Sequence, residues 1–359
     1  MILIATQCFP PDKGGIEVLM GGLADAMAAT GREVVVYADR AHDGGEISAT
    51  YPIRRFGGLK PLRRRLKAWA VARAAKTAKV GGVFADSWKS VELLPALDAP
   101  IAVLAHGMEF PARPSAAKSA RITRAFAKAR TVIANSRYTA ALAQPYLGPK
   151  TRLVVINPPI GPTVAPSPAT FENVQELVDG RAPVLLTLAR LEPRKGVDMV
   201  IRALPDVLKA HSRAIYIVAG GGDDRVRLEE LAREAAVADC VRFVGPVDGG
   251  MKTALFMAAD AFVMPARREG DSVEGFGIAY REAAEHGVPS LAGREGGAVD
   301  AVSDEETGLL CNPTDQADVT RQILRLLNDK ERLGGNATLQ ARHRGGWTMA
   351  VEAYLDALR

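Results

Sequence analysis

The sequence predicts an α/β protein of two parallel-sheet halves facing across a cleft, with a last helix returning to the first half. Three observations carry that expectation. At 359 residues the chain suits two domains better than one. Short apolar runs alternate with helical patterns along both halves, the mark of βα repeats. The stretch Asn157-Pro-Pro-Ile-Gly-Pro-Thr-Val-Ala-Pro-Ser-Pro168, unfit for a helix or an inner strand, interrupts the alternation. The expected boundaries are residues 1–165, 166–345 and, for the returning helix, 346–359.

Taken in order, Ile2–Ala5 reads as a buried strand and Ile16–Thr30 as an amphipathic helix stopped by Gly31, with Glu33–Tyr37 as the next strand. Gly14 and Gly15 precede the first helix and let an acceptor or a phosphate approach its N–H groups, although a glycine pair there also serves as a plain tight turn. Pro61 to Lys79 has helical spacing, with Leu62, Leu66 and Trp69 on one face. No acid occurs from Ile47 to Ala85, whereas Arg63, Arg64, Arg65 and Lys67 are among ten cations in that run. A basic amphipathic helix with an interfacial tryptophan suits an anionic membrane surface. A solvated face over an ordinary core stripe is the plainer alternative. Nucleic acid is disfavoured, because apart from Trp69 the run lacks aromatics for base stacking. Strands follow at Gly82–Ala85, Ile101–Ala105, Thr131–Ala134 and Thr151–Ile156. His106 lies just past one strand end, where a ligand would be touched, and Asn135-Ser136 caps the helix starting at Arg137.

The second half restarts with the strand Val184–Leu188, and its loop Arg190-Leu-Glu-Pro-Arg-Lys195-Gly196 leads into a helix from Val197. Arg190 and Lys195 are the cations suited to a diphosphate, whose charge grows as a sugar bond to it breaks. After Ile215–Ala219, Gly220-Gly-Gly222 permits backbone contact with a nucleotide, and after Val241–Val244 a base could lie against the backbone at Val247 and Asp248. Gly245 to Lys252 resembles a phosphate-binding P-loop, but Met251 breaks the required glycine-lysine adjacency. The strand Ala261–Met264 is followed by a polar loop and Glu274-Gly-Phe-Gly-Ile-Ala-Tyr-Arg-Glu282, with a helix from Ile278 to His286. Glu274 thus stands where a loop feeds a helix, and Glu282 can lean back over the same cavity. Two carboxylates that grip hydroxyls, beside N–H groups suited to a phosphate, point to a sugar nucleotide.

Composition limits the alternatives. An apolar fraction of 48% and a charged fraction of 24% are those of an ordinary soluble protein. Up to Ala165 there are 23 Lys and Arg against 11 Asp and Glu, or +12; beyond it 23 against 30, or −7. No apolar run is long enough to span a bilayer, and Met1–Thr6 is too short for a signal sequence, so a cytoplasmic location is expected. Cys8, Cys240 and Cys311 have no paired spacing, the histidines form no H-E-x-x-H, and no D-x-D occurs, so neither a metal nor a cofactor is expected.

In combination these pieces resemble family 4 of the retaining glycosyltransferases, whose two Rossmann-like domains form the GT-B architecture. The matching residues are Pro11-Asp-Lys-Gly14-Gly15, His106-Gly107, Ala134-Asn-Ser136, Arg190-Leu-x3-Lys195-Gly196, Val241-x-Phe-x-Gly245, Glu274-x7-Glu282, Gly296-Gly297 and Glu306-Thr-Gly-Leu309. Among its members the chain resembles bacterial phosphatidylinositol mannosyltransferases and lipopolysaccharide or capsule transferases. The resemblance implies that Arg190 and Lys195 bind the diphosphate, that Glu274 and the backbone of Phe276 and Gly277 hold sugar hydroxyls, and that Glu282 binds the ribose. It also implies that His106 faces the sugar and Gly15 the phosphates. The implied reaction moves a hexose from a UDP- or GDP-sugar to a glycan or lipid-linked acceptor, metal-free and with retention, at the inner face of the plasma membrane. Asn157-Pro158-Pro159 departs from the Pro-Asn-Gly of many members, and Asp300 stands where glutamate is usual. A sugar-nucleotide epimerase and a non-catalytic partner protein are the alternatives on this fold.

Overall fold

The computed structural model describes residues 1–359 apart from 43, 44 and 46. They form two compact units, Met1–Gly161 with Gly345–Arg359, and Pro162–Arg344.

The first unit runs β1 (Ile2–Ala5), α1 (Gly15–Ala29), β2 (Val34–Asp39), β3 (Ile53–Phe56), α2 (Lys60–Thr77), β4 (Gly82–Ala85), α3 (Trp88–Val91), β5 (Ile101–Ala105), α4 (Ala116–Phe126), β6 (Thr131–Ala134), α5 (Arg137–Ala143) and β7 (Arg152–Val155). All seven strands are parallel, in the order β3-β2-β1-β4-β5-β6-β7. Strands β1, β4, β5 and β6 are apolar nearly throughout because helices cover both faces of the sheet. Successive residues serve opposite layers: Ile4 and Val36 pack with Leu19 and Leu23 of α1, whereas Leu3 and Val35 pack with Val71 of α2 and Phe126 of α4. Strand β3 escapes the sequence reading, since Ile53-Arg54-Arg55-Phe56 is a half-exposed edge with two arginines.

The second unit runs α6 (Pro168–Val178), β8 (Val184–Leu188), α7 (Val197–Ala210), β9 (Ile215–Ala219), α8 (Arg225–Glu234), β10 (Val241–Gly245), α9 (Gly249–Ala258), β11 (Ala261–Met264), α10 (Ile278–Glu285), β12 (Ser290–Gly293), α11 (Ala298–Ala301), β13 (Gly308–Cys311), α12 (Gln316–Asn328) and α13 (Lys330–Arg344). Its six parallel strands lie in the order β10-β9-β8-β11-β12-β13. The last helix, α14 (Trp347–Asp356), belongs to the first unit and packs on α1 and β4. Tyr354 meets the Phe84 ring edge-on, and Gly22 of α1 leaves the space for the Trp347 ring, which an added Cβ would approach to 2.2 Å.

In both sheets the chain starts near the middle, builds toward one edge, then returns to build toward the other. The reversal falls between β1 and β4 in the first unit and between β8 and β11 in the second. At such a point the two strand-end loops part to opposite faces and leave a crevice at the carboxyl ends, the usual ligand position in open parallel sheets.

Candidate functional site

In the second unit the loops leaving β8 and β11 meet at that reversal. Gly196 has φ 75°, and a Cβ there would stand 2.2 Å from the Pro265 carbonyl oxygen, so this close backbone approach requires glycine. Arg267 N–H donates to the Arg194 carbonyl at 2.8 Å, and the Arg267 guanidinium grips the Asp198 carboxylate with bonds of 2.8 and 3.0 Å. Across this seam Lys195 Nζ and Arg194 Nη1, the latter at 3.1 Å, both donate to Oε2 of Glu274. The side chains are only 11% exposed for the two cations and 13% for the acid. Burial alone would raise the pKa of Glu274, but Lys195 and then Arg194 hold it below the ordinary carboxylate value. Arg194 also donates from Nε to Glu192 at 2.7 Å. Arg190, by contrast, is 66% exposed and lies 3.5 Å from Glu192. Arg194 was passed over in the sequence in favour of Arg190 and Lys195. Its one visible signal was adjacency to Lys195.

Glu274 is fixed from behind as well. Its carbonyl accepts from Gly297 N–H at 2.8 Å, and a Cβ on Gly296 would stand 2.4 Å from that oxygen. Phe276 buries its ring in the core, and Gly277, at φ 88°, caps α10, so the first N–H groups of that helix follow directly. Glu282 does not share a partner with Glu274. Its carboxylate takes Lys252 Nζ of α9, the residue set aside with the rejected P-loop pattern. The two acids are thus held by separate cations, Glu274 by Lys195 and Arg194 and Glu282 by Lys252. Val247 is half-buried, and the Asp248 side chain is spent as the cap of α9, accepting from Met251 N–H at 2.8 Å. Gly220, at φ 134°, crosses Ala189 so closely that a Cβ would lie 1.8 Å from its carbonyl oxygen. Among the described residues no three His, Cys, Asp or Glu side chains gather as a metal site.

The reversal in the first unit holds a hydrogen-bond network around one buried acid. Asp86 accepts from Gln7 N–H at 2.7 Å and from Ser90 Oγ at 2.6 Å. His106 Nε2 lies 2.9 Å from the Asp86 carbonyl oxygen, and since a carbonyl only accepts, Nε2 carries the proton. Gly15 opens α1 and is exposed. Gly14 has φ 167°, an extended backbone any residue adopts, and the nearest atoms to an added Cβ belong to the flexible Glu17 side chain, so that position does not demand glycine.

Helix α2 corrects the reading of its cations. Lys67 is 4% exposed, donating to the Thr6 carbonyl at 2.5 Å and to Asp39 at 2.6 Å. Arg63 lies 3.0 Å from the other Asp39 oxygen, and Arg64 pairs with Glu92 at 2.7 Å. The run lacks acids in sequence, but Asp39 and Glu92 reach it from outside in space. Arg65 is exposed, and so are Lys60, Arg73 and Lys76. The expected apolar stripe is exposed with them: Leu62 at 56%, Leu66 at 46% and Trp69 at 60%. It is no core stripe, because α2 is anchored through Ala68, Val71 and Ala72 instead. No helix among the described residues is long and apolar enough to cross a membrane.

Comparison with known proteins identifies the family and the fold. Residues 169–340 match the model of the glycosyl transferases group 1, and residues 13–164 that of glycosyltransferase family 4. A GDP-mannose-dependent alpha-(1-6)-phosphatidylinositol monomannoside mannosyltransferase of Mycolicibacterium smegmatis is 31% identical over 345 residues, covering 92% of this chain and 90% of the relative. A protein of the same name from Mycobacterium tuberculosis is 29% identical over 350 residues, covering 92% and 90%. Among solved structures, Anabaena HepE in complex with UDP superposes with a TM-score of 0.79 at 19% identity over 99% of each chain. WaaG, a glycosyltransferase of lipopolysaccharide biosynthesis, superposes with a TM-score of 0.72 at 19% identity over 100% of this chain and 99% of its own. The chain belongs to glycosyltransferase family 4, with the GT-B pair of parallel-sheet units, and is a hexosyltransferase.

Proposed function

We propose that the chain transfers a hexose, mannose first among candidates, from a nucleoside diphosphate sugar to a lipid-linked acceptor at an anionic membrane surface, with retention of configuration. One observation carries the reading: Lys195 and Arg194 converge on the buried carboxylate of Glu274 at the strand reversal of the second unit. In this reading a cation suited to a diphosphate stands beside an acid suited to sugar hydroxyls, at the start of a helix whose N–H groups favour anions. In this reading Arg190 and Lys195 take the diphosphate, and Glu274 with the N–H groups of Phe276 and Gly277 holds the sugar. Glu282 takes the ribose, and Gly220, Val247 and Asp248 line the nucleotide through their backbone. The bond from the anomeric carbon to the diphosphate breaks while the acceptor oxygen bonds to that carbon from the same face. The acceptor proton passes to a diphosphate oxygen, and protein cations stabilise the charge without a metal. Of the residues in the loops after β1 and β5, Gly15 serves the phosphates, His106 the sugar and Gly14 the acceptor.

The relatives named for GDP-mannose support guanine and mannose, whereas the HepE complex contains UDP, so both bases belong in the test. The membrane reading rests on the exposed stripe of α2. Leu62, Leu66 and Trp69 follow one another at helical spacing, flanked by exposed Arg65, Arg73 and Lys76, with the Arg73 guanidinium 5.4 Å from the Trp69 ring centre. That pattern suits the inner face of the plasma membrane, where anionic headgroups meet the cations. Purified protein incubated with UDP- and GDP-sugars, with and without lipid extract, should release nucleotide, most with GDP-mannose and lipid together. The product anomer should match the donor. No release from any donor refutes transfer and favours a non-catalytic partner.

A further inference from the structure

We infer that Arg194 is a positioning residue that keeps Glu274 in place and ionised when Lys195 turns to the donor diphosphate. The inference rests on the donor reading above and adds a division of labour between neighbouring cations. Both meet the same oxygen of Glu274, Oε2, so among the described residues Oε1 is the oxygen left to accept from a sugar hydroxyl. The two cations are not equally mobile. Lys195 carries a compact charge at the end of a flexible stem and can swing to a phosphate. Arg194 cannot follow, because its Nε is held by Glu192 at 2.7 Å and its carbonyl by Arg267 N–H at 2.8 Å. Arg267 is in turn clamped by Asp198.

Once Lys195 leaves, Glu274 is a largely buried carboxylate facing few charges. On the β8 loop the charge it faces is Arg194, itself paired with Glu192, and from α10 it faces Tyr280, whose phenol donates to the Met264 carbonyl. Burial pushes that phenol well above its usual range, so it stays neutral and offers no positive charge. Arg194 is then the one cation in contact with Glu274 among the described residues. Without it, burial would favour the protonated acid, and a protonated Glu274 no longer presents two acceptor oxygens to the sugar.

The test compares the pH dependence of turnover for the full-length protein, Arg194→Gln and Arg194→Lys, with the donor that the wild type uses best. For Arg194→Gln, turnover at neutral pH should fall by about 10- to 100-fold, as expected for a displaced sugar contact. Its acid limb should move upward by about one unit or more, with a smaller change in the donor KM. Arg194→Lys should return the limb toward the wild-type position but recover only part of the rate, since one ammonium cannot hold Glu192 and Glu274 as a planar fork does. Wild-type turnover in Arg194→Gln overturns the inference. So does an equal loss at every pH with an unmoved limb, the mark of a merely structural arginine. No nucleotide release by the wild type overturns the donor reading itself, and the assignment to Arg194 with it.

Discussion

Lys195→Ala separates catalytic from structural cost at the centre of the site. The lysine and its partner Glu274 are 11% and 13% exposed, so the pair sits in the buried regime, where deleting one partner costs about 3–5 kcal/mol. Arg194 remains on the same carboxylate oxygen, which brings the expected loss nearer the scale of one charged hydrogen bond, about 1.5–3 kcal/mol. At about 2–4 °C per kcal/mol for a unit the size of Pro162–Arg344, its Tm should drop by about 3–12 °C. Turnover should fall further, by about 100-fold or more, because the diphosphate gains charge in the transition state and loses the donor that meets it. Thermal unfolding and nucleotide release on the same preparation read both quantities. A Tm loss in that range with turnover within about threefold of wild type would show that Lys195 holds the fold together and leaves the leaving group alone.

Other perturbations probe the rest of the structure. Glu92 is pulled down to about 2, chiefly by its bond to Arg121 and then by Arg64, so its stabilisation is fully present above the ordinary value of 4.5 and disappears as pH falls toward about 2. Because Arg121 is 45% exposed, solvent screening leaves about 1–2 kcal/mol at pH 7, and the stability gap between wild type and Glu92→Gln should close across that acid window in urea titrations. Gly196→Ala, forced to φ 75° against the Pro265 carbonyl, should cost about 1–3 kcal/mol and lower turnover; an unchanged Tm would refute the close approach of the two loops. Replacing Arg65 and Arg73 with serine should weaken binding to anionic vesicles about 30-fold at low salt, at about 1 kcal/mol per cation, without lowering Tm. Lys67→Met should do the opposite, lowering Tm through the uncovered Asp39 while leaving vesicle binding in place; equal vesicle losses would reject this division.

The fold was legible because buried parallel strands write themselves as apolar runs. Ile2–Ala5, Ile101–Ala105 and Ile215–Ala219 are sealed on both faces and carry no competing signal. Strand β3 was not, since an edge strand obeys its solvent side, and Arg54 and Arg55 hide it. At the site, the loop-to-helix position of Glu274 could be read from glycine placement, because Gly277 at φ 88° and Gly196 at φ 75° answer to local backbone demands. Arg194 and Lys252 could not be ranked in the same way. Their importance comes from partners 80 and 30 positions away in the chain, a separation that no local pattern encodes.

The same blindness explains why α2 misled in a consistent direction. A stretch without acids looks like uncompensated charge only if compensation must come from the same stretch. Asp39 ends the neighbouring strand β2 and Glu92 follows α3, so the sheet delivers each acid to the helix after the chain has moved on. Burying Lys67 without Asp39 would leave an unpaired charge costing several kcal/mol, which means that acid and lysine had to arrive together through topology. Among the cations that remain outside, Arg65 and Arg73 lie on the side of α2 that also exposes leucine and tryptophan. Charge left over after the fold has taken what it needs is therefore a better guide to a surface partner than charge counted along the sequence. In this helix the leftover charge and the leftover apolar area coincide, and their coincidence, more than the number of arginines, is what points to a lipid surface.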